Sequence, residues 1–453
     1  MGLDGLPPEV LLRICGNLDT WNLLGLREVC KSFCEVANSR IWCEVTVLME
    51  TERFQLGFDD CICSDFHLDY LRGSVLEDGL QFWLDRLKKL TFVGHSSSAP
   101  IHMSAFAGAL FAILCHIEET PTMRYRPFVL DLSSVNLSSM PLRKSIIRRI
   151  NSSEANFKTT VLIKTDKRPV KEANEPCAVL GPKFAKVTFA SDDEGAPFTP
   201  QEWFRFDDTS DIDYMCFSFI AANLSTVERM LQGCPRIPHI RILYCELKFD
   251  KELGLAEIAF RKAEVVEVLD TLITIEGNRD SNEPFQARDL KIEDLKLLEL
   301  FNYNFPNLEI LTLRDRAYFD SPQSIYSTEE IVPLLTNLKV LHTWLQDWST
   351  CHLFKSPEFA RCPLKEIHLL LLNFDLETML SPFKNPPHLE YLSIESKSSF
   401  HITWDQTQQY AKDLFSAGKS LLQVQFSDPF RAITFQKNGK IVLNGMPLEI
   451  QAP

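Results

Sequence analysis

The sequence predicts an α/β protein: a short N-terminal unit of three helices followed by an irregular solenoid, a curved parallel sheet with helices on its outer face. Three observations carry that reading. Residues 1–45 place apolar side chains at helical spacing, with more leucine than so small a unit can bury for itself. The pattern L-x-x-L-x-L returns five times toward the C-terminus, at a period that fits one strand plus one helix. At 453 residues the chain exceeds one ordinary compact core, so it requires several domains or an elongated array.

The first helix falls between Pro8 and Leu18, where Val10, Leu11, Ile14 and Leu18 recur at helical spacing and Pro7 and Pro8 are tolerated in the first turn. Asp19 or Thr20 can cap a second helix, whose apolar residues are Leu23, Leu24, Leu26, Val29 and Cys30. A third starts at Ser32, because Ser32-x-x-Glu35 has capping-box spacing ahead of "VANSRIW". About 40 residues is the lower limit for a unit that sustains its own core, so the surplus leucines need another surface. Either the rest of the chain supplies it, or a partner protein receives a helix face.

The same residues carry a resemblance. Leu6-Pro7-x-Glu9-Val10-Leu11-x-x-Ile14-x-x-x-Leu18, then Leu23-Leu24-x-Leu26-Arg27-x-Val29-Cys30-Lys31-x-Phe33, then Ile41-Trp42-x-Glu44-Val45, resembles an F-box, especially those of fungal proteins. The resemblance implies docking on a Skp-family adaptor and, through it, a place in a cullin-based ubiquitin ligase. Matched position by position, it implies that Leu6, Pro7, Glu9, Leu11, Ile14, Leu18, Leu23, Leu24, Leu26 and Val29 form or support the adaptor-facing surface. Phe33 stands where many members carry Trp, and Trp21 falls in the loop between helices; both departures are conservative enough to leave adaptor binding expected.

Residues 46–85 read as a connecting segment. Cys61, Cys63 and His67 are the one grouping with metal-site character, but a fourth ligand and C-x-x-C spacing are missing, so free thiols are the plainer reading and no metal or other cofactor is expected.

The array is assigned to residues 86–430. Its strong copies are "LEILTL" (Leu308 to Leu313), "LKVLHT" (Leu338 to Thr343), "LKEIHL" (Leu364 to Leu369), "LEYLSI" (Leu389 to Ile394) and "LLQVQF" (Leu421 to Phe426), with start-to-start spacings of 30, 26, 25 and 32 residues. Each alternates with period two as a strand requires, and helical stretches lie between them: "STEEIVPLL", with Ser327-x-x-Glu330 as a capping box, and "TWDQTQQYAKDLFSAG", ending at Gly418. One such unit cannot bury its apolar face, so neighbours must stack, as in a leucine-rich-repeat solenoid. Weaker copies extend the pattern backward: "LKKLTF" (Leu87 to Phe92), "FVLDL", "TTVLI", "FAKVTF" (Phe184 to Phe189), "YMCFSF" (Tyr214 to Phe219) and "IPHIRI" (Ile237 to Ile242). The regular Asn of consensus repeats is missing, which resembles the irregular arrays found behind F-boxes. The acidic stretch Asp192 to Asp213 reads as a surface loop without EF-hand register, and residues 431–453 as a hairpin cap turning at Asn438-Gly439.

Composition excludes other classes. A net charge of -14 disfavours nucleic acid and anionic membrane as partners, since both need clustered cations; the basic stretches Arg143 to Ile150 and Ile163 to Lys171 read as solvated faces. The longest apolar run, Ala105 to Ile117, is shorter than the roughly 20 residues that span a bilayer and reads as a buried helix. "MGLDGL" lacks the Ser or Thr of a myristoylation signal. Thirteen cysteines without paired spacing, behind an N-terminus without a signal-peptide pattern, point to a reducing cytoplasmic or nuclear setting. G-x-S-x-G, H-E-x-x-H, Walker and G-x-G-x-x-G motifs are absent, so the chain reads as a non-catalytic subunit.

Period two also fixes which strand residues face outward. If Leu311 and Leu313 are core, then Ile310, Thr312 and Arg314 point out, with Val340, His342 and Trp344, Glu366, His368 and Leu370, and Tyr391, Ser393 and Glu395. Arg314, His342, Trp344, Glu366, His368, Tyr391 and Glu395 are therefore the candidates for holding a protein target, against the alternative that a neighbouring loop or the C-terminal tail covers Trp344 and Leu370. His342 and His368 as a metal pair is the less expected use of two histidines on a strand. The expected role is a substrate receptor, with two competitors: a non-degradative scaffold on the same adaptor, and an enzyme built on a deep pocket.

Overall fold

The computed structural model describes residues 6–18, 20–26, 28–41, 43–50, 53–58, 61–67, 87–94, 100–135, 137, 140–165, 178–191, 204–207, 211–223, 237–249, 262–275, 284–293, 298, 304–314, 337–347, 362–373, 387–396 and 403–448. They form a mixed α/β, solenoid-like arrangement with few helices, divided into two compact units: Met1–Ile220 with Arg229–Arg236, and Ala221–Glu228 with Ile237–Pro453.

The first unit opens with helices α1 (Pro8–Gly16), α2 (Thr20–Leu26) and α3 (Lys31–Ile41). Their boundaries differ from the sequence reading in three places. Trp21 lies in the second helix and not in a loop. That helix stops at Leu26, leaving Val29 and Cys30 in the following turn. The third helix starts at Lys31, so Ser32 sits within its first turn and not at the cap.

Strand β1 (Glu44–Glu50) follows and pairs antiparallel with β2 (Arg53–Phe58), which pairs antiparallel with β3 (Cys61–His67). Of the residues read as a connecting segment, 46–50, 53–58 and 61–67 are strands of the sheet and 68–85 lie outside the described residues, as do the side chains of Cys61, Cys63 and His67. From β1 the sheet continues in parallel through β4 (Lys89–Gly94), β5 (Phe128–Ser134), β6 (Phe157–Thr165), β8 (Phe184–Ser191) and β10 (Tyr214–Ser218). A separate parallel pair, β7 (Ala178–Leu180) and β9 (Phe204–Phe206), places a strand inside the acidic stretch read as a loop, and Ile212 there is buried.

Helix α4 (Pro100–Glu119) contains the long apolar run and buries Phe106, Leu110, Ile113, Leu114 and Ile117, with Phe106 edge-on to Phe92 of β4 at 5.3 Å. Among the described residues no helix is long and apolar enough to cross a membrane. A short turn, α5 (Pro121–Arg124), leads on, and α6 (Met140–Ser152) buries Ile146, Ile147 and Ile150 together with Arg143. The stretch read as a solvated basic face is therefore half core. Arg149 on α6 makes a two-pronged pair with Glu118 of α4, at 2.9 and 2.6 Å.

In the second unit eight strands run parallel: β12 (His239–Leu243), β14 (Val265–Leu269), β16 (Asp289–Ile292), β17 (Ile310–Arg314), β18 (Val340–Asp347), β19 (Glu366–Asn373), β20 (Tyr391–Ser396) and β21 (Gln423–Ser427). The last five coincide with the five strong sequence copies. Every weaker copy is likewise a strand in one unit or the other, as β4, β5, β6, β8, β10 and β12. Each rung buries the same three positions: Leu308, Leu311 and Leu313, then Leu338, Leu341 and Thr343, and so on to Leu421, Val424 and Phe426. Strands β14 and β16 obey the same rule, but with Ala263 and Ala287 at the first position.

The rungs are tied by a repeated device in which one carbonyl accepts two amides from the next strand. The Glu309 carbonyl accepts from Lys339 and Val340 at 2.8 and 3.0 Å, and the Lys365 carbonyl from Glu390 and Tyr391 at 2.8 and 2.9 Å. A second parallel set, β11 (Ala221–Asn223), β13 (Glu246–Phe249) and β15 (Leu272–Ile275), lies beyond sharp corners. Tyr244 and Asp270 occupy those corners at φ 53° and 49°, a region non-glycine residues rarely enter. The Asp270 amide donates to Glu293, and Thr271 donates its hydroxyl to the Leu269 carbonyl, so the corner's polar groups are satisfied.

Helix α7 (Trp404–Ala417) has a complete Thr403/Gln406 capping box and ends at Gly418, whose amide donates to Leu414. It is the single long helix among the described residues of the second unit; the helix read at Ser327–Leu335 lies outside them. Strand β22 (Ala432–Gln436) adds antiparallel to β21 and turns through Gly439, at φ 87°, into β23 (Ile441–Leu443), followed by β24 (Met446–Leu448).

Candidate functional site

Two surfaces concern function. On the N-terminal helices, Leu11, Cys15, Leu23, Phe33 and Ala37 form a closed core, with Leu6, Leu18, Leu26, Cys30 and Val36 packed against it. The buried residues of α1 are Leu11 and Cys15, which turns Val10 and Ile14 onto one flank and Leu12 onto the other. Four apolar side chains that the core does not use are left in solvent: Val10 at 42%, Leu12 at 47%, Ile14 at 38% and Val29 at 51% exposure. Pro7 and Glu9 are exposed beside them.

Of the residues matched to the adaptor surface, Pro7, Glu9, Ile14 and Val29 are thus exposed, Leu11 and Leu23 are core, and Leu6, Leu18 and Leu26 are partly buried supports. The side chain of Leu24 lies outside the described residues. Val10 and Leu12 were not among the candidates; the spacing that put Val10 on the apolar stripe gave no sign that Cys15 displaces it from the core. Arg40 ties the unit together by donating to the Gly16 carbonyl at 3.3 Å.

The second surface is the outward face of the eight-stranded sheet. Backbone register aligns Arg241, Glu267, Lys291, Thr312, His342, His368, Ser393 and Gln425 in one row across it. Arg314, Trp344, Leu370 and Glu395 align in a second row, and Ile310, Val340, Glu366 and Tyr391 in a third. The structure therefore brings the target-binding candidates into one neighbourhood, although the side chain of Trp344 lies outside the described residues and Ser393 is nearly buried at 8% exposure.

The rings of His342 and His368 stack at 4.2 Å and 11°, and Tyr391 lies 5.1 Å from His368. Tyr391 donates its hydroxyl to Gln425 at 2.8 Å. Burial, with His368 and Lys291 nearby, pushes the His342 imidazole down to about 4; burial also lowers His368, against the opposing pull of Glu366. At neutral pH both are neutral rings. Their parallel planes keep the nitrogen lone pairs from converging, and among the described residues no group of three or more metal-ligating side chains comes together.

Toward β12 the face carries a closed ion cluster. Glu267 meets His239 at 3.3 Å, Arg241 at 3.2 Å and Lys291 at 3.0 Å. Burial raises its carboxyl, but these cations outweigh it and hold the group below the usual range. Arg314 is 3.7 Å from Glu293.

The sequence profile of F-box-like domains matches residues 3–47, the segment that holds the three helices. Domains of that family generally bind Skp-type adaptors, and the family is typically a non-catalytic subunit of ubiquitin ligases. No curated protein matches the chain.

Proposed function

We propose, from the F-box-like domain this chain carries, that it is the substrate-recognition subunit of a Skp–cullin–F-box ubiquitin ligase. The N-terminal helices hold the Skp-family adaptor, and the array, read as irregular leucine-rich repeats of the kind found in fungal F-box proteins, holds a protein target. The chain does no covalent chemistry; it raises the target's effective concentration at the ligase. The observation that carries the reading is the quartet Val10, Leu12, Ile14 and Val29, exposed on a helical unit whose own core is already closed. Four exposed apolar side chains on so small a unit suit a partner surface better than solvent.

The adaptor surface then takes both exposed flanks of α1, Val10 and Ile14 on one and Leu12 on the other, with Pro7 and Val29, edged by Glu9, and Leu6, Leu11, Leu18, Leu23, Leu24 and Leu26 as its support. The setting is cytoplasmic, nuclear or both, where adaptor and cullin are met. Capture of the full chain from cell extract tests this directly: adaptor and cullin are both retained, and replacing Val10 and Leu12 by Ala releases both together. Retention of the adaptor without a cullin would instead make the chain a non-degradative scaffold.

A further inference from the structure

We propose that the outward face of β19 and β20 docks a basic, extended segment of a protein partner, with Glu366 and Glu395 each receiving a lysine or arginine side chain. The proposal rests on reading the array as the target-holding part of the molecule.

It follows from a break in the charge pairing along the sheet. Glu267 faces Arg241 and Lys291, Glu293 faces Arg314, Glu309 faces Arg288 and Lys339, and Glu390 faces Lys365. Glu267 and Glu293 are also nearly covered, their side chains 10% and 8% exposed. Glu366 is 49% exposed and its neighbour is the imidazole of His368 at 3.7 Å, while Glu395 is exposed and makes no ion pair among the described residues. Among the described residues neither carboxylate meets a lysine or an arginine.

Between them lie rings that suit the same ligand. Strand geometry separates the two positions by four residues along the chain direction and one strand across, about 14 Å. His342, His368 and Tyr391 occupy the neighbouring outward positions. The imidazoles are neutral at pH 7 and do not compete as cations. An aromatic surface beside a carboxylate stabilises a lysine or arginine by ring quadrupole and by Coulomb attraction together. The net charge of -14 draws a basic segment toward the chain and repels an acidic one.

The test uses the full chain and two fluorescent peptides of Ser and Gly, one carrying two arginines four residues apart and the other two glutamates. The wild type is expected to prefer the arginine peptide. Combined Glu366→Gln and Glu395→Gln should weaken that binding by about fivefold to tenfold, the size expected for two exposed pairs. Combined Glu119→Gln and Asp405→Asn, which removes the same charge elsewhere, should change it less than about twofold, and equal thermal unfolding of the three chains excludes misfolding. Equal losses in both variants, preference for the glutamate peptide, or no binding by the wild type would overturn the proposal. Adaptor capture is measured on the same wild-type chain. Loss of that capture alone would defeat the ligase reading and leave the docking site standing.

Discussion

The carbonyl of Cys43 accepts the amide of Lys89 at 3.0 Å, and it accepts that of Lys88 at 2.7 Å as well. The same doubled acceptance recurs at Glu309 and Lys365, so β1 joins the sheet of the first unit as one more rung. Helix α3 ends at Ile41, two residues before that carbonyl, and the Cys43 thiol and amide both donate back to Arg40. A chain lacking residues 1–43 leaves the two lysine amides without their acceptor. Their hydrogen exchange is expected to speed by about fivefold or more, while the amides of Glu366 and Tyr391 keep their rates. Unchanged exchange at Lys88 and Lys89 would show that this rung is not what protects them.

Leu11 and Leu12 are neighbours with opposite tasks. Leu11 is 2% exposed inside the helical core, so Leu11→Ala is expected to cost about 2–4 kcal/mol of that unit's stability. Leu12 is 47% exposed, and Leu12→Ala should shift stability by less than about 0.5 kcal/mol while weakening adaptor binding. Thermal unfolding and adaptor titration on the two variants separate the roles. Equal destabilisation by both would contradict the packing described.

Glu118 gathers Arg149 in two bonds, the Ser153 hydroxyl and the Glu154 amide, and links α4 to α6. With Glu118 and Arg149 only 20% and 17% exposed, Glu118→Ala strands a largely covered guanidinium and should cost about 1–3 kcal/mol. Glu118→Gln, which retains hydrogen-bonding capacity, should cost less. Denaturant unfolding of both variants checks the order.

The histidine stack makes stability depend on pH with a defined sign. Folding lowers the His342 pKa from 6.5 to about 4, so between those values the unfolded chain binds more protons than the folded one. Its contribution is complete above pH 6.5 and is lost as pH falls toward 4; His368, also lowered, adds in the same direction. Melting temperature should therefore drop between pH 7 and pH 5, and the combined His342→Gln, His368→Gln chain should show a smaller drop. A steeper drop in that variant would reverse the assignment.

The repeat was legible because leucine fills the first buried position in every strong copy. Strands β14 and β16 escaped the same scan because Ala263 and Ala287 stand there, small enough to hide the pattern yet fully buried. The corners at Tyr244 and Asp270 carry no glycine, so their left-handed backbone left no trace in the sequence. On α1 the apolar spacing located the helix but not its rotation, since Cys15 competes with Val10 and Ile14 for the core. Outward register on β17 to β20 was readable from period two alone, but that Glu366 and Glu395 meet no lysine or arginine among the described residues depends on which cations other strands bring near.

Titration of the purified full chain with a purified Skp-family adaptor tests the central claim most directly. The account predicts a stable one-to-one complex whose affinity falls by about tenfold or more when Val10 and Leu12 are both replaced by Ala, with thermal unfolding unchanged. No complex, or the same affinity after the replacement, would contradict it.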